Sequence, residues 1–157
     1  MRTAYNGKKT WRGFLFAATA ALVLIISPTD QALASEVDMF KSPGCDCCTG
    51  WADHLRKEGF TVVEHKKEEM DAIKSLFGVP EKLASCHTAY INGYVIEGHV
   101  PADDIKRMLK EKPKITGLTA PGMPMKSPGM QKPGLPPKGY DVLSFDKSGN
   151  SQVYKEY

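Results

Sequence analysis

Three of the four cysteines in this 157-residue chain crowd into one stretch, Cys45, Cys47 and Cys48 of G-C-D-C-C at residues 44–48; the fourth is Cys86. Three thiols so close cannot each staple a different distant segment, and a bond between near neighbours closes too small a loop to gain stability from constraining the unfolded chain. The fold must therefore rest on a buried core rather than on a disulfide framework, and the trio reads as chemistry before it reads as scaffolding. Hydrophobic residues at 41% and charged residues at 25% exclude collagen-like, disordered and coiled-coil chains.

The pattern around the trio specifies an α/β fold. Residues 36–41 (EVDMFK) alternate as a strand, Ser42-Pro43-Gly44 turns, and a helix follows over 49–57, with Thr49 as N-cap, Trp51, Ala52 and Leu55 at helical spacing, and Gly59 as the C-terminal cap. A second strand occupies 60–64, and Met70, Ile73, Leu76 and Phe77 mark one face of a helix that Gly78 and Pro80 end. Asn92-Gly93 between two apolar runs is a two-residue hairpin turn. Pro101 opens a third helix with Asp103 and Asp104 in its first turn and Ile105, Met108 and Leu109 on its buried stripe, closing at Lys112-Pro113.

Residues 115–140 form a Gly/Pro/Met-rich loop, and DVLSF and SQVYKEY around Lys147-Ser148-Gly149-Asn150 form a C-terminal β-hairpin. The order of strand, cysteines, helix, strand, helix, hairpin, helix is that of a thioredoxin-like central sheet flanked by helices, with the cysteines at the start of the first helix.

The leader gives a destination. Residues 1–13 are basic and polar, residues 14–26 (FLFAATAALVLII) are uninterruptedly apolar, and Ala32-Leu33-Ala34 supplies a small-residue cleavage site, so residues 1–34 read as a signal peptide cut after Ala34. As a helix the apolar run rises only about 20 Å, short of the roughly 30 Å hydrocarbon core, which argues against a retained anchor and against stable membrane association after cleavage. What remains, residues 35–157, is one domain. Arg2, Lys8, Lys9 and Arg12 against Asp30 carry the whole formal net charge of +3, so the mature chain is neutral and offers no field for nucleic acid.

Thiols at a helix N-terminus are acidified by the unpaired backbone N–H groups and the dipole, and the thiolate is the form that attacks disulfides and binds metals. In a thioredoxin-like fold the loop carrying Cys86 and His87 lies beside that turn, so a fourth sulfur and an imidazole converge on it. Thiolate with imidazole suits Cu(I) and Zn(II), whereas paired C-x-x-C knuckles of a structural zinc site are absent. Met123, Met125 and Met130 in the loop are thioethers, which favour Cu(I). His99 in E-G-H-V-P is a further ligand candidate whose ring Glu97 could orient. His54 and His65 read as exposed helix and strand-end residues, and Trp51 as core.

These residues resemble the CopG-like periplasmic copper-resistance family, over roughly residues 37–145. The resemblance rests on G-C-D-C-C (44–48), S-C-H-T-A (85–89), G-Y-V-I-E-G-H-V-P (93–101), P-G-M-P (121–124) and S-P-G-M (127–130). Lys126 and Gln131 depart from the family loop, which usually has glycine and often an acidic residue there. The resemblance implies a thioredoxin-like fold, copper held by Cys45, Cys47, Cys48 and Cys86, and a redox role towards copper ions. The expected ligand is Cu(I), in a multinuclear cluster where sulfurs bridge ions, in a periplasmic protein that sequesters or redox-cycles copper.

Two rivals stand beside this reading. A periplasmic thiol–disulfide oxidoreductase would use Cys45 and Cys48 as attacking and resolving thiols, but such enzymes usually separate their cysteines by two residues, and neighbouring cysteines here stand one apart or none. A copper chaperone would pass its ion to a copper efflux or oxidase protein.

Overall fold

The computed structural model describes residues 35–157, together with Met1; the signal-peptide reading of residues 1–34 lies outside the described residues. The elements are β1 (Glu36–Lys41), α1 (Asp46–Lys57), β2 (Thr61–Lys66), α2 (Met70–Leu76), a 3-10 turn (Glu81–Leu83), β3 (His87–Ile91), β4 (Tyr94–Glu97), α3 (Ala102–Glu111), β5 (Gly117–Thr119), β6 (Asp141–Phe145) and β7 (Ser151–Glu156). No helix among the described residues is long and apolar enough to cross a membrane.

The seven strands form one sheet in the order β2-β1-β3-β4-β5-β6-β7. β1 runs parallel to β2 and antiparallel to β3, and β3–β4 is the antiparallel hairpin. This β-α-β-α-β-β-α sequence of elements is the thioredoxin-like arrangement the order of sequence patterns implies. Asn92 (φ 47°) and Gly93 (φ 91°) both take positive φ, as a type I′ hairpin turn requires.

Strand alternation sorts side chains between two layers. Val37, Met39, Ala89, Ile91 and Ile96 meet Trp51, Ala52 and Leu55 of α1 and Ile105 and Met108 of α3 in one buried cluster. A smaller cluster of Val79, Leu83, Val95 and Phe145 lies apart from it, with Phe77 packed against it. The stripe of α1 begins at Cys48, which with Trp51, Ala52 and Leu55 keeps the i, i+3, i+4, i+7 spacing of a core-facing helix.

Several boundaries differ from the sequence expectation. α1 starts at Asp46 with Cys45 as N-cap, not Thr49, whose hydroxyl instead accepts from the buried Lys41 Nζ at 2.6 Å. Glu58, not Gly59, is the C-cap of α1. β2 runs to Lys66, past the expected end at residue 64. Leu76 is 78% exposed, so α2 buries only its Met70 end. Pro101 is the N-cap of α3 rather than its first residue.

The loop of residues 115–140 hides β5, three residues buried between β4 and β6. Too short to show alternation and flanked by glycine and proline, it left no strand signal. His54, read as exposed, is half-buried and accepts the Ala102 N–H on Nε2 at 3.2 Å.

The part of the loop around Gly129 is seated on α1. Ser127 and Pro128 are buried, and at Gly129 (φ 87°) an added Cβ would lie 2.7 Å from the Cys47 carbonyl and closer still to the Trp51 backbone nitrogen. Only glycine permits that approach. Gly129→Ala should therefore lift the segment off the cysteine turn, at a cost of about 1–3 kcal/mol. A lowered chemical-denaturation midpoint and faster alkylation of Cys47 are the measurements.

Burial lowers the pKa of His54, against weaker opposing pulls from Glu58 and Asp103. A folded-state pKa below the ordinary 6.5 means that the unfolded chain binds the proton more readily, so the stability this group confers is present above pH 6.5 and lost as pH falls below it. The stability difference between the protein and its His54→Gln variant should shrink on that acid side, read from denaturation midpoints across the pH range.

Candidate metal centre

Two separated stretches deliver the donors. The first is the turn after β1 and the start of α1, where Cys45 and Cys47 are half-buried and Cys48, drawn in by the helix stripe, is fully buried. The second is the segment before β3. Its placement follows from the β1–β3 register, which sets Lys41 opposite His87 and thereby Cys86 beside the turn that leaves β1.

The sulfurs of Cys45, Cys47, Cys48 and Cys86 lie within 4.8 Å of one another, and a second group, Cys48, Cys86, His87 and His99, satisfies the same limit. The two groups share Cys48 and Cys86. Cys45 Sγ and Cys47 Sγ are 3.6 Å apart, Cys86 Sγ is 3.0 Å from His99 Nε2 and 3.3 Å from His87 Nδ1. Both rings are fully buried, and His87 packs against Trp51 with ring centroids 4.4 Å apart.

Cys45 and Cys48 are joined as a disulfide, leaving Cys47 and Cys86 as free thiols. This corrects the spacing argument made from adjacent cysteines: counted across Asp46 and Cys47, Cys45 and Cys48 do stand two residues apart. The bonded pair is the one the oxidoreductase reading requires.

The electrostatics divide the sulfurs. Cys86 does not share the helix N-terminus, and burial, reinforced by nearby Cys47, pushes its thiol up to about 11. The acidification expected of the thiols at the helix start does not extend to Cys86, which in the metal-free protein keeps its proton. Burial also holds His99 down to about 4; the Pro128 backbone opposes this weakly, without reaching hydrogen-bond geometry. His87 is held well below its ordinary range by burial, then by His99, Lys74 and Lys41. Neutral imidazoles are the form that donates a lone pair to a metal, and His87 Nε2 and His99 Nδ1 are buried without hydrogen-bond partners.

Glu97 does not orient His99. Its carboxylate accepts instead from the Ser85 N–H, Lys74 Nζ and Thr88 Oγ1. Met123 and Met125 are exposed, at 59% and 71%, and Met130 is half-buried beside Gly129. His65 pairs with Asp38 at 2.7 Å, stacks on Phe40 and belongs to neither donor group. Sequence reasoning missed Lys41, Lys74 and Thr88; a lysine in the alternating apolar register of β1 was the available signal for the first.

Residues 83–130 match the family described as a protein of unknown function, DUF411, a span that holds Cys86, His87 and His99. No curated protein matches the chain. Two solved structures of copper resistance protein CopG do. Form 2 is 40% identical, with a TM-score of 0.72 over 79% of this chain and 98% of that one. Form 1 is 41% identical, with a TM-score of 0.71 over 78% and 96%. With that identity running through nearly the whole length of its relatives, the chain belongs to the CopG copper-resistance family.

Proposed function

We propose that this protein binds copper in copper resistance, holding Cu(I) through the thiolates of Cys45, Cys47, Cys48 and Cys86 in the periplasm. One observation carries the reading: four sulfurs from two distant stretches lie within 4.8 Å of one another. Soft thiolates prefer a soft monovalent ion, and sulfurs this close can bridge more than one. His87 and His99 supply neutral nitrogen donors on the Cys86 side. Met123, Met125 and Met130 supply thioethers on a segment whose Ser127–Gly129 part covers the cysteine turn, limiting the access of water and oxidants.

Four thiolates require the Cys45–Cys48 bond to be open, which takes two electrons from a reductant such as a dithiol. Metal binding must also displace the Cys86 proton, so affinity rises with pH. Cys47→Ser should remove most bound copper. Metal content and the X-ray absorption edge of protein from copper-fed cells, purified without reducing agent, report stoichiometry, oxidation state and sulfur ligation together; unchanged copper in the variant would remove the assignment.

The Cys45–Cys48 disulfide favours a second reading, a thiol–disulfide oxidoreductase. There the reduced pair transfers two electrons, Cys45 attacking a substrate disulfide and Cys48 resolving the mixed disulfide, so that the pair ends oxidised and the substrate ends as two thiols. Metal-free protein that reduces insulin with a dithiol donor, and loses that activity on Cys45→Ser, would establish it. Delivery to an efflux or oxidase protein is a third reading; it predicts transfer to that partner faster than spontaneous copper release.

A further inference from the structure

Glu97 is 0% exposed yet makes no hydrogen bond to any sulfur or imidazole of the centre. It stands on β4 opposite Thr88 of β3, at the last rung of that ladder. Its Oε1 accepts from the Ser85 N–H and from Lys74 Nζ, both at 2.6 Å, and its Oε2 accepts from Thr88 Oγ1 at 2.7 Å. Lys74 reaches in from α2, supplies the counter-charge and also donates to Thr88 Oγ1 at 3.3 Å.

The geometry of these contacts is specific to one task. Ser85 and Thr88 bracket Cys86 and His87, so one carboxylate grips the chain on both sides of the donor pair. Beyond the ladder, Gly122 also holds this segment: it donates its N–H to Ala84 O, pairs with Ser85 as a parallel bridge and accepts from Ser85 Oγ, while His87 packs on Trp51. Immediately after Glu97, the Gly98 N–H donates to His87 O at 2.9 Å and the chain delivers His99 to 3.0 Å from Cys86 Sγ.

We infer that Glu97, with Lys74 as its counter-ion, is the positioning residue that holds Cys86 against the helix-borne sulfurs and His99. The inference rests on the copper-binding reading for its consequence, but its geometric content is testable without metal.

Two variants test it. Thr88→Val removes one anchor while keeping the side chain's shape, and Glu97→Gln keeps the shape while removing the charge. In metal-free, folded protein, alkylation of Cys86 by iodoacetamide, followed by mass spectrometry, should accelerate about tenfold in Glu97→Gln and less in Thr88→Val, as expected for loss of charge-assisted against neutral hydrogen bonds. Cys47 in the same sample should be unaffected. Competition against a chromogenic Cu(I) chelator should show weaker binding in Glu97→Gln, and no further weakening when Glu97→Gln is added to Cys86→Ser, because the carboxylate acts through that sulfur.

Unchanged Cys86 alkylation in both variants overturns the inference. So does an equal loss of affinity from Glu97→Gln with and without Cys86, which would mark a general structural role. If Cys86→Ser itself leaves copper binding intact, the four-sulfur assignment fails while the alkylation result still decides the positioning role. Should Glu97→Gln not fold, Thr88→Val decides alone.

Discussion

The antiparallel register of β1 on β3 is the constraint on which the centre depends. It pairs Met39 with Ala89 and Lys41 with His87, so the chain leaves β1 towards the cysteine turn at the point where Cys86 enters β3. Slipping the pair by one residue would turn either Val37 and Met39 or Ala89 and Ile91 out of the core. Slipping by two would preserve burial but carry Cys86 about 7 Å along the strand, beyond the 4.8 Å that now contains the four sulfurs. Apolar burial, acting on residues with no chemistry of their own, therefore sets the ligand geometry.

The same division of labour explains which parts were legible in the sequence. Alternation in EVDMFK and the Asn92-Gly93 turn declare β1 and the hairpin, because each is written in residues adjacent along the chain. The helix stripe declares α1 too, but its first member is a cysteine, and treating Cys48 only as a ligand displaced the helix start to Thr49. The Cys45–Cys48 pairing was obscured similarly, by measuring gaps between neighbouring cysteines and not across the trio. β5 left no trace because three buried residues carry no period.

Glu97 was misread for a geometric reason. In sequence it stands two residues from His99, close enough to orient the ring. In the sheet it pairs with Thr88 on β3 and faces Lys74 of α2, while Gly98 at φ 71° turns the chain before His99. A strand-period argument carried past residue 96 would put Glu97 and His99 on one face with Val95, so only the turn at Gly98, which breaks that period, separates the carboxylate from the ring.

A disulfide between Cys45 and Cys48 and a metal held by the same two thiolates exclude one another. On the copper-binding reading, the ion therefore selects the reduced chain, and linkage makes the effect mutual: electrons supplied to the pair raise copper affinity, and copper bound to the thiolates makes the pair harder to reoxidise. Opening the bond brings negative charge into a pocket where burial already keeps Cys86 protonated. Lys41, 3% exposed, holds its ammonium at the foot of α1, 2.6 Å from Thr49 Oγ1 and 3.7 Å from the Glu64 carboxylate that offsets its charge. Lys74 lies on the Cys86 side, where its charge pulls the Cys86 pKa down against burial. Burial of the sulfurs resists thiolate formation and Lys74 offsets it only in part, so an incoming cation supplies the remaining charge, and soft-ion binding and thiolate formation proceed as one event.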